Sequence, residues 1–193
     1  MRALLTILLI TSKFTFAQVA DYQRDFNKIN ENLMLGLGSY AVTNFVVGGI
    51  GYSTSEDQAI KHFHEMNVMW NTVNLGLAVP GYLKAKRGGK SLTQEEMIKE
   101  QKKTETIFLV NDVLDLGYIA TGIWMRNEAI NQGDRADMFK GYGNSLILQG
   151  SFLLVFDAYA CYLHRNHAKT SLLLSNVTLQ HSFNHFRVIV YLN

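Results

Sequence analysis

The chain has 193 residues, with 18 Lys plus Arg against 16 Asp plus Glu, one Cys, one Pro and a formal net charge of +2. That length is one ordinary domain; the small, scattered positive charge leaves no nucleic-acid footprint, and a single cysteine excludes an internal disulfide framework and a four-cysteine zinc site. The charged fraction of 18% lies below the roughly 25% usual in soluble domains, and where those charges are missing says more than how many there are.

Met1 and Arg2, an apolar run over 3–10, and Thr15-Phe16-Ala17 before Gln18 have the pattern of a short secretory signal over residues 1–17, with Lys13 interrupting it. Arg24, Phe26 and Ile29 then read as part of a surface helix. Four stretches follow, 33–52, 66–83, 107–125 and 143–163, which together hold three charges, Asp112, Asp115 and Asp157. Each is close to the ~20 residues that cross an apolar layer of about 30 Å. Trp and Tyr recur near their ends (Tyr52, Tyr82, Trp124, Tyr142, Tyr162), as interfacial anchors do. The pattern predicts an all-α fold, a four-helix transmembrane bundle over 18–167, with the lipid bilayer as its first partner. A soluble bundle is the alternative, but no span carries the charged outward stripe that a water-facing helix presents. The tail, 168–193, mixes polar and β-branched residues and is assigned no structure.

Gly88, Gly89 and Ser91 break the chain after Lys84-Ala85-Lys86-Arg87. Thr93 with Glu96 makes a capping-box start to a polar helix that extends into the third span. Gly133-Asp134 and Gly141 bracket the turn before the fourth. Orientation stays open. Cleavage after Ala17 puts twelve Lys or Arg outside and four inside, against the positive-inside tendency; a retained, non-spanning first segment puts 14 inside and four outside.

Every span carries one polar or small face, which lipid prevents from pointing outward. Ala41, Asn44, Gly48 and Gly51 share a face of the first span, and Asn67, Asn71 and Asn74, with His64 a turn earlier, share one of the second. The third offers Asn111, Asp115, Tyr118 and Gly122 with Asp112 beside them; the fourth repeats Gly143, Gly150, Asp157 and His164 every seven residues, with Gln149 adjacent. Counting about 1.5 Å per residue puts Asn44, Asn74 and Asp115 within about 3 Å of the central plane. Asp112 and Asp157 then lie about 6 Å toward the side of the 84–106 loop. No Lys or Arg accompanies the three carboxyls inside the spans. Unpaired carboxylates cannot stay ionised in a low dielectric, so the states expected are protonated acids, one proton shared between Asp112 and Asp157, a bound cation, or a water-filled cavity. The candidate ligand- or ion-binding residues are therefore Asn44, Asn67, Asn71, Asn74, Asp112, Asp115, Gln149 and Asp157. A purely structural hydrogen-bond network that glues helices together is the competing reading.

The histidines fall as His62 and His64, His164 and His167, and His181 and His185. The last pair can chelate a metal if helical, yet no third ligand is evident and no HExxH occurs. His64 and His164 fall at opposite ends of any four-span topology, so they cannot clamp one haem; interfacial or solvent positions are the expectation. No nucleophile elbow, phosphate loop or dinucleotide turn is present, and no cofactor is identified. The leading reading is a non-enzymatic membrane protein whose polar interior binds a small ligand, an ion or a partner helix. Second comes a proton- or cation-coupled transporter or channel, which with four spans and no internal repeat needs a homo-oligomer. A metal-dependent intramembrane enzyme is third.

The segment from Phe63 to Gly76 (FHEMNVMWNTVNLG), the run Asn111-Asp112-Val113-Leu114-Asp115-Leu116-Gly117-Tyr118-Ile119, and Gly141-Tyr142-Gly143 followed by Gln149-Gly150 and Phe156-Asp157 resemble an uncharacterised family of small bacterial membrane proteins. The resemblance covers about 25–167. It implies a multi-pass helical bundle of the bacterial inner membrane and carries over no catalytic residue.

Overall fold

The computed structural model describes the backbone of residues 2–170, 176–182 and 185–191, and the side chains of residues 18–170. The signal expected over residues 1–17 lies outside the described side chains. Four helices follow one another: α1 (Arg2–Thr54), α2 (Gln58–Arg87), α3 (Gln94–Glu128) and α4 (Ala136–Thr170). The bundle is all-α. Beyond it an antiparallel hairpin pairs β1 (Asn176–Ser182) with β2 (His185–Tyr191), from Asn176 opposite Tyr191 to Ser182 opposite His185. His181 and His185 thus sit on different strands, and the helical pairing considered for them does not form.

The breaks between helices have local causes. Asp57 caps α2 by accepting from the Ile60 amide at 3.0 Å. Gly88 ends that helix with φ 73°, a left-handed conformation that costs glycine little. Thr93 and Glu96 form a reciprocal capping box at the start of α3. Two 3₁₀ turns, Ala129–Asn131 and Gly133–Arg135, join α3 to α4.

The parallel pair α2 and α4 forms the centre of the bundle, with α1 packed on α2 and α3 packed on α4. The α3–α4 seam is close because glycines face each other. A Cβ on Gly122 would lie 2.6 Å from the Gly143 carbonyl oxygen, and a Cβ on Gly143 would lie 2.7 Å from that of Gly122. On the α1 side, a Cβ on Gly48 would meet Val68, and one on Gly51 would run into the His64 ring.

The hydrophobic pattern is inverted relative to a soluble bundle. Val46, Val47 and Ile50 of α1, Met69, Val73 and Leu77 of α2, Val110, Val113 and Leu116 of α3 and Val155 of α4 are all exposed. Asn67, Asn71, Asn74, Asp115, Ser145, Gln149 and Asp157 are buried. Water would reverse both sets. The helical stretches Gln18–Thr54, Gln94–Asn131 and Gly133–Thr170 are long and apolar enough to cross a membrane. The three inward asparagines keep α2 below that threshold, although its outward face is as apolar as the others.

Most of the large buried apolar side chains gather at one end of the bundle, called here the loop end because it carries the α2–α3 connection. Val19, Tyr22, Phe26 and Met97 form one cluster there, and Leu33, Phe108, Ala160 and Cys161 a second beneath it. Elsewhere the centre is lined by Leu37, Ala41, Ala78, Leu146 and the buried amides.

Candidate functional site

The polar residues of the interior separate into two groups on different faces of α4. The first is a chain of amides between α1, α2 and α4. Gln149 Nε2 donates to Asn67 Oδ1 at 2.8 Å, and Ser145 Oγ donates to the same oxygen at 2.7 Å. Tyr40 Oη donates to Gln149 Oε1 at 3.2 Å, which brings in α1. Along α2, Asn74 Nδ2 donates to Asn71 Oδ1 at 3.1 Å and Asn71 Nδ2 to the Asn67 carbonyl at 2.8 Å. Asn44 is half-buried and donates to the Tyr40 carbonyl at 2.9 Å. No amide of this chain leaves a fully buried nitrogen or oxygen without a partner.

The second group is the carboxyl cluster of the α3–α4 seam, and its bonding is incomplete. Asp115 of α3 and Asp157 of α4 lie within hydrogen-bonding reach of each other, with Asn111 in reach of Asp157. Asp115 is 2% exposed and Asp157 5%. Asp115 Oδ2 and Asp112 Oδ1 are buried with no hydrogen-bond partner. The sequence reading paired Asp112 with Asp157; Asp115 takes that place. Asp115 shares the buried stripe of α3 with Gln101, Phe108 and Gly122, which recur every seven residues, and Asp112 lies off that stripe. Asp112, three residues earlier, is turned toward the outer edge of the seam and lines a groove there.

A third polar cluster lies at the loop end. Tyr22 Oη donates to Gln101 Oε1 at 2.9 Å, and Gln101 Nε2 donates to the His164 carbonyl at 2.8 Å and to Glu105 at 2.8 Å. His164 Nε2 pairs with Asn30 Oδ1 at 3.2 Å, and its ring packs against Phe26 and Phe108. The expectation of an interfacial or solvent histidine is wrong for His164, which is 0% exposed. Burial, then the neighbouring His167, holds its imidazole down to about 4. Burial likewise lowers His167, which stacks on Tyr22 at 4.2 Å, and raises the Tyr22 phenol. His64 packs against Gly51 at the opposite end of α1 from Asn30, so the two histidines are a bundle length apart.

Of the eight expected site residues, Asn67, Asn71, Asn74 and Gln149 share one bonded chain with Asn44 at its edge, and Asp112, Asp115 and Asp157 share the other seam. Sequence reasoning missed Tyr40, Ser145 and Gln101. Tyr40 and Ser145 are each four residues before a residue that was singled out, Asn44 and Gln149, and i, i+4 spacing was the signal available for them. Among the described residues no group of three His, Cys, Asp or Glu is placed to hold a metal.

Fold and site together define a class: an all-α protein of four helices, three of them long and apolar enough to cross a membrane, with its polar residues turned inward. The chain belongs to the family of unknown function DUF6992, whose model matches residues 36–158. That match contains the whole amide chain and all three carboxyls and stops short of His164. No curated protein and no solved structure matches the chain.

Proposed function

We propose that this is a four-span integral membrane protein whose α3–α4 carboxyl cluster binds a proton or a monovalent cation within the membrane. One observation carries the reading: the amide chain is internally bonded, whereas Asp115 Oδ2 and Asp112 Oδ1 are buried without partners beside Asp157. Two carboxylates in hydrogen-bonding reach, taken out of water and without a Lys or Arg, need one positive charge between them. A proton bridging Asp115 and Asp157 supplies it, and so does a small cation held by their free oxygens. The amide chain then serves as the brace that fixes α4 against α2, so that α4 presents Asp157 to α3.

Membrane insertion of all four helices is supported by the turned-out apolar residues of α2, which match those of its neighbours. One bundle offers one carboxyl site; coupled transport through it would need copies of the chain arranged around a path. The test is a set of thermal melts of detergent-purified protein from pH 5 to 9, each with and without Na⁺ and K⁺. The wild type should stabilise with one of these ions or shift with pH above about 6.5, outside the range in which His164 changes stability, and Asp115→Asn and Asp157→Asn should each flatten that response while leaving a folded protein. Wild-type melts that ignore both ions and superimpose from pH 6.5 to 9 would overturn the reading.

A further inference from the structure

The outer edge of the α3–α4 seam carries a groove of about 400 Å³ that the carboxyl pair does not fill. Leu109 and Asp112 line it from α3, and Ala158 and Cys161 from α4, with Arg165 and Lys169 at its mouth on the loop end. The α4 residues recur every three or four positions and therefore share one face. Ala158 and Cys161 are small, and their size is what leaves the space. From Ala158 to Lys169 the helix rises about 16 Å, so the groove runs from acyl-chain depth to the headgroup level.

Its two ends differ in charge. Arg165 meets Glu105 through Nε at 3.5 Å, and its terminal amino groups have no partner among the described residues. Lys169 has no ion-pair partner there, and Arg165 and Lys169 are exposed. At the inner end Asp112 offers a phosphate no positive charge, whereas the mouth offers two, which sets the direction of any anionic amphiphile: headgroup at the mouth, chain inward.

We propose that this groove seats an anionic phospholipid of the loop-side leaflet, its phosphate between Arg165 and Lys169 and one acyl chain along Cys161, Leu109 and Ala158. A basic notch between helices at headgroup level attracts anionic lipid. A zwitterionic choline headgroup would instead bring a further cation beside Lys169. The inference rests on the membrane reading and is independent of what the carboxyl pair holds.

The probe is phosphatidylglycerol, compared with phosphatidylcholine of equal chain length, added to the detergent-purified full chain and followed by native mass spectrometry. A second readout is the rate at which N-ethylmaleimide alkylates Cys161, the only cysteine in the chain. Phosphatidylglycerol should be retained at least about fivefold more tightly than phosphatidylcholine and should slow alkylation. The Arg165→Gln/Lys169→Gln protein should lose that preference, and Ala158→Leu, which fills the inner groove, should weaken retention without changing charge. Lys86→Gln/Arg87→Gln, with the same loss of charge at the end of α2, should behave as wild type. Equal retention of the two lipids, or an unchanged preference in Arg165→Gln/Lys169→Gln, would overturn the proposal. Shielding of Cys161 by inorganic phosphate as strong as that by phosphatidylglycerol would replace the lipid with a free anion. Recovery of the chain in aqueous buffer without detergent would instead remove the membrane reading itself.

Discussion

Asn67 Oδ1 on α2 accepts two hydrogen bonds from α4, 2.8 Å from Gln149 Nε2 and 2.7 Å from Ser145 Oγ, so a single amide oxygen fastens the central helix pair. All three residues are buried. Asn67→Leu would leave two donors without an acceptor, at a cost of about 1–3 kcal/mol each before relaxation. Chemical unfolding in detergent should show Asn67→Leu destabilised by more than Gln149→Leu, with Asn67→Leu/Gln149→Leu less than additive. Additive losses would mean that the two side chains act independently.

Glycine substitutions should sort by neighbour. Gly122→Ala and Gly143→Ala place a Cβ at 2.6–2.7 Å from backbone oxygen across the seam, and helices must separate to admit it. Each should lower stability by about 1–3 kcal/mol, in the range of overpacked cores. Gly36, Gly76 and Gly117 have nothing within 4 Å of a built Cβ. Alanine at these three positions should be neutral or stabilising by up to about 1 kcal/mol. The comparison is one set of melting curves.

His164 makes stability depend on acid. Its imidazole is held at about 4 in the folded chain against an ordinary value of 6.5. Between those values the unfolded chain binds a proton that the folded chain does not, so stability rises with pH across that window. The contribution is complete above about 6.5 and is lost as pH falls through about 4. His167 is lowered as well and acts in the same direction. Melting temperatures from pH 7 to 4.5 should therefore fall, and His164→Gln, which has no proton to gain, should show a shallower slope.

Leu77 and Val73 distinguish a lipid-facing from a water-facing α2. They are 62% and 59% exposed on the flank of α2, beside the buried face of Asn71 and Asn74. In water Leu77→Lys would be neutral. At the centre of a bilayer it costs roughly 2.5–3.5 kcal/mol. The wild type should stay with membranes through an alkaline carbonate wash, and Leu77→Lys should reduce the inserted fraction.

Much of this architecture is legible in the sequence because polar residues in an apolar stretch have only one place to go. The spacing of Asn67, Asn71 and Asn74 marks one helix face, and that face is the buried one. The seven-residue repeat of Gly143, Gly150, Asp157 and His164 likewise lies on the buried side of α4. What could not be read is which face meets which. Periodicity orders residues around one helix and says nothing of the partner, so Asp112 looked as good a match for Asp157 as Asp115 does. The burial of His164 was hidden for a different reason. It depends on Phe26, Asn30 and Gln101, which come from two other helices and from segments that read as solvated surface.

The cluster of Val19, Tyr22, Phe26 and Met97 lies at the loop end, outside the charge-poor stretches 33–52 and 107–125. One protein thus has its apolar groups inside at that end and outside along the rest. Urea, which acts where water is the solvent, should loosen the Tyr22–Gln101–His164 junction first, whereas sodium dodecyl sulfate, which competes for lipid-facing surface, should attack the helices below it. Unfolding followed at Tyr22 and unfolding followed at Trp70 or Trp124 would then give different midpoints, and no single free energy would describe the fold.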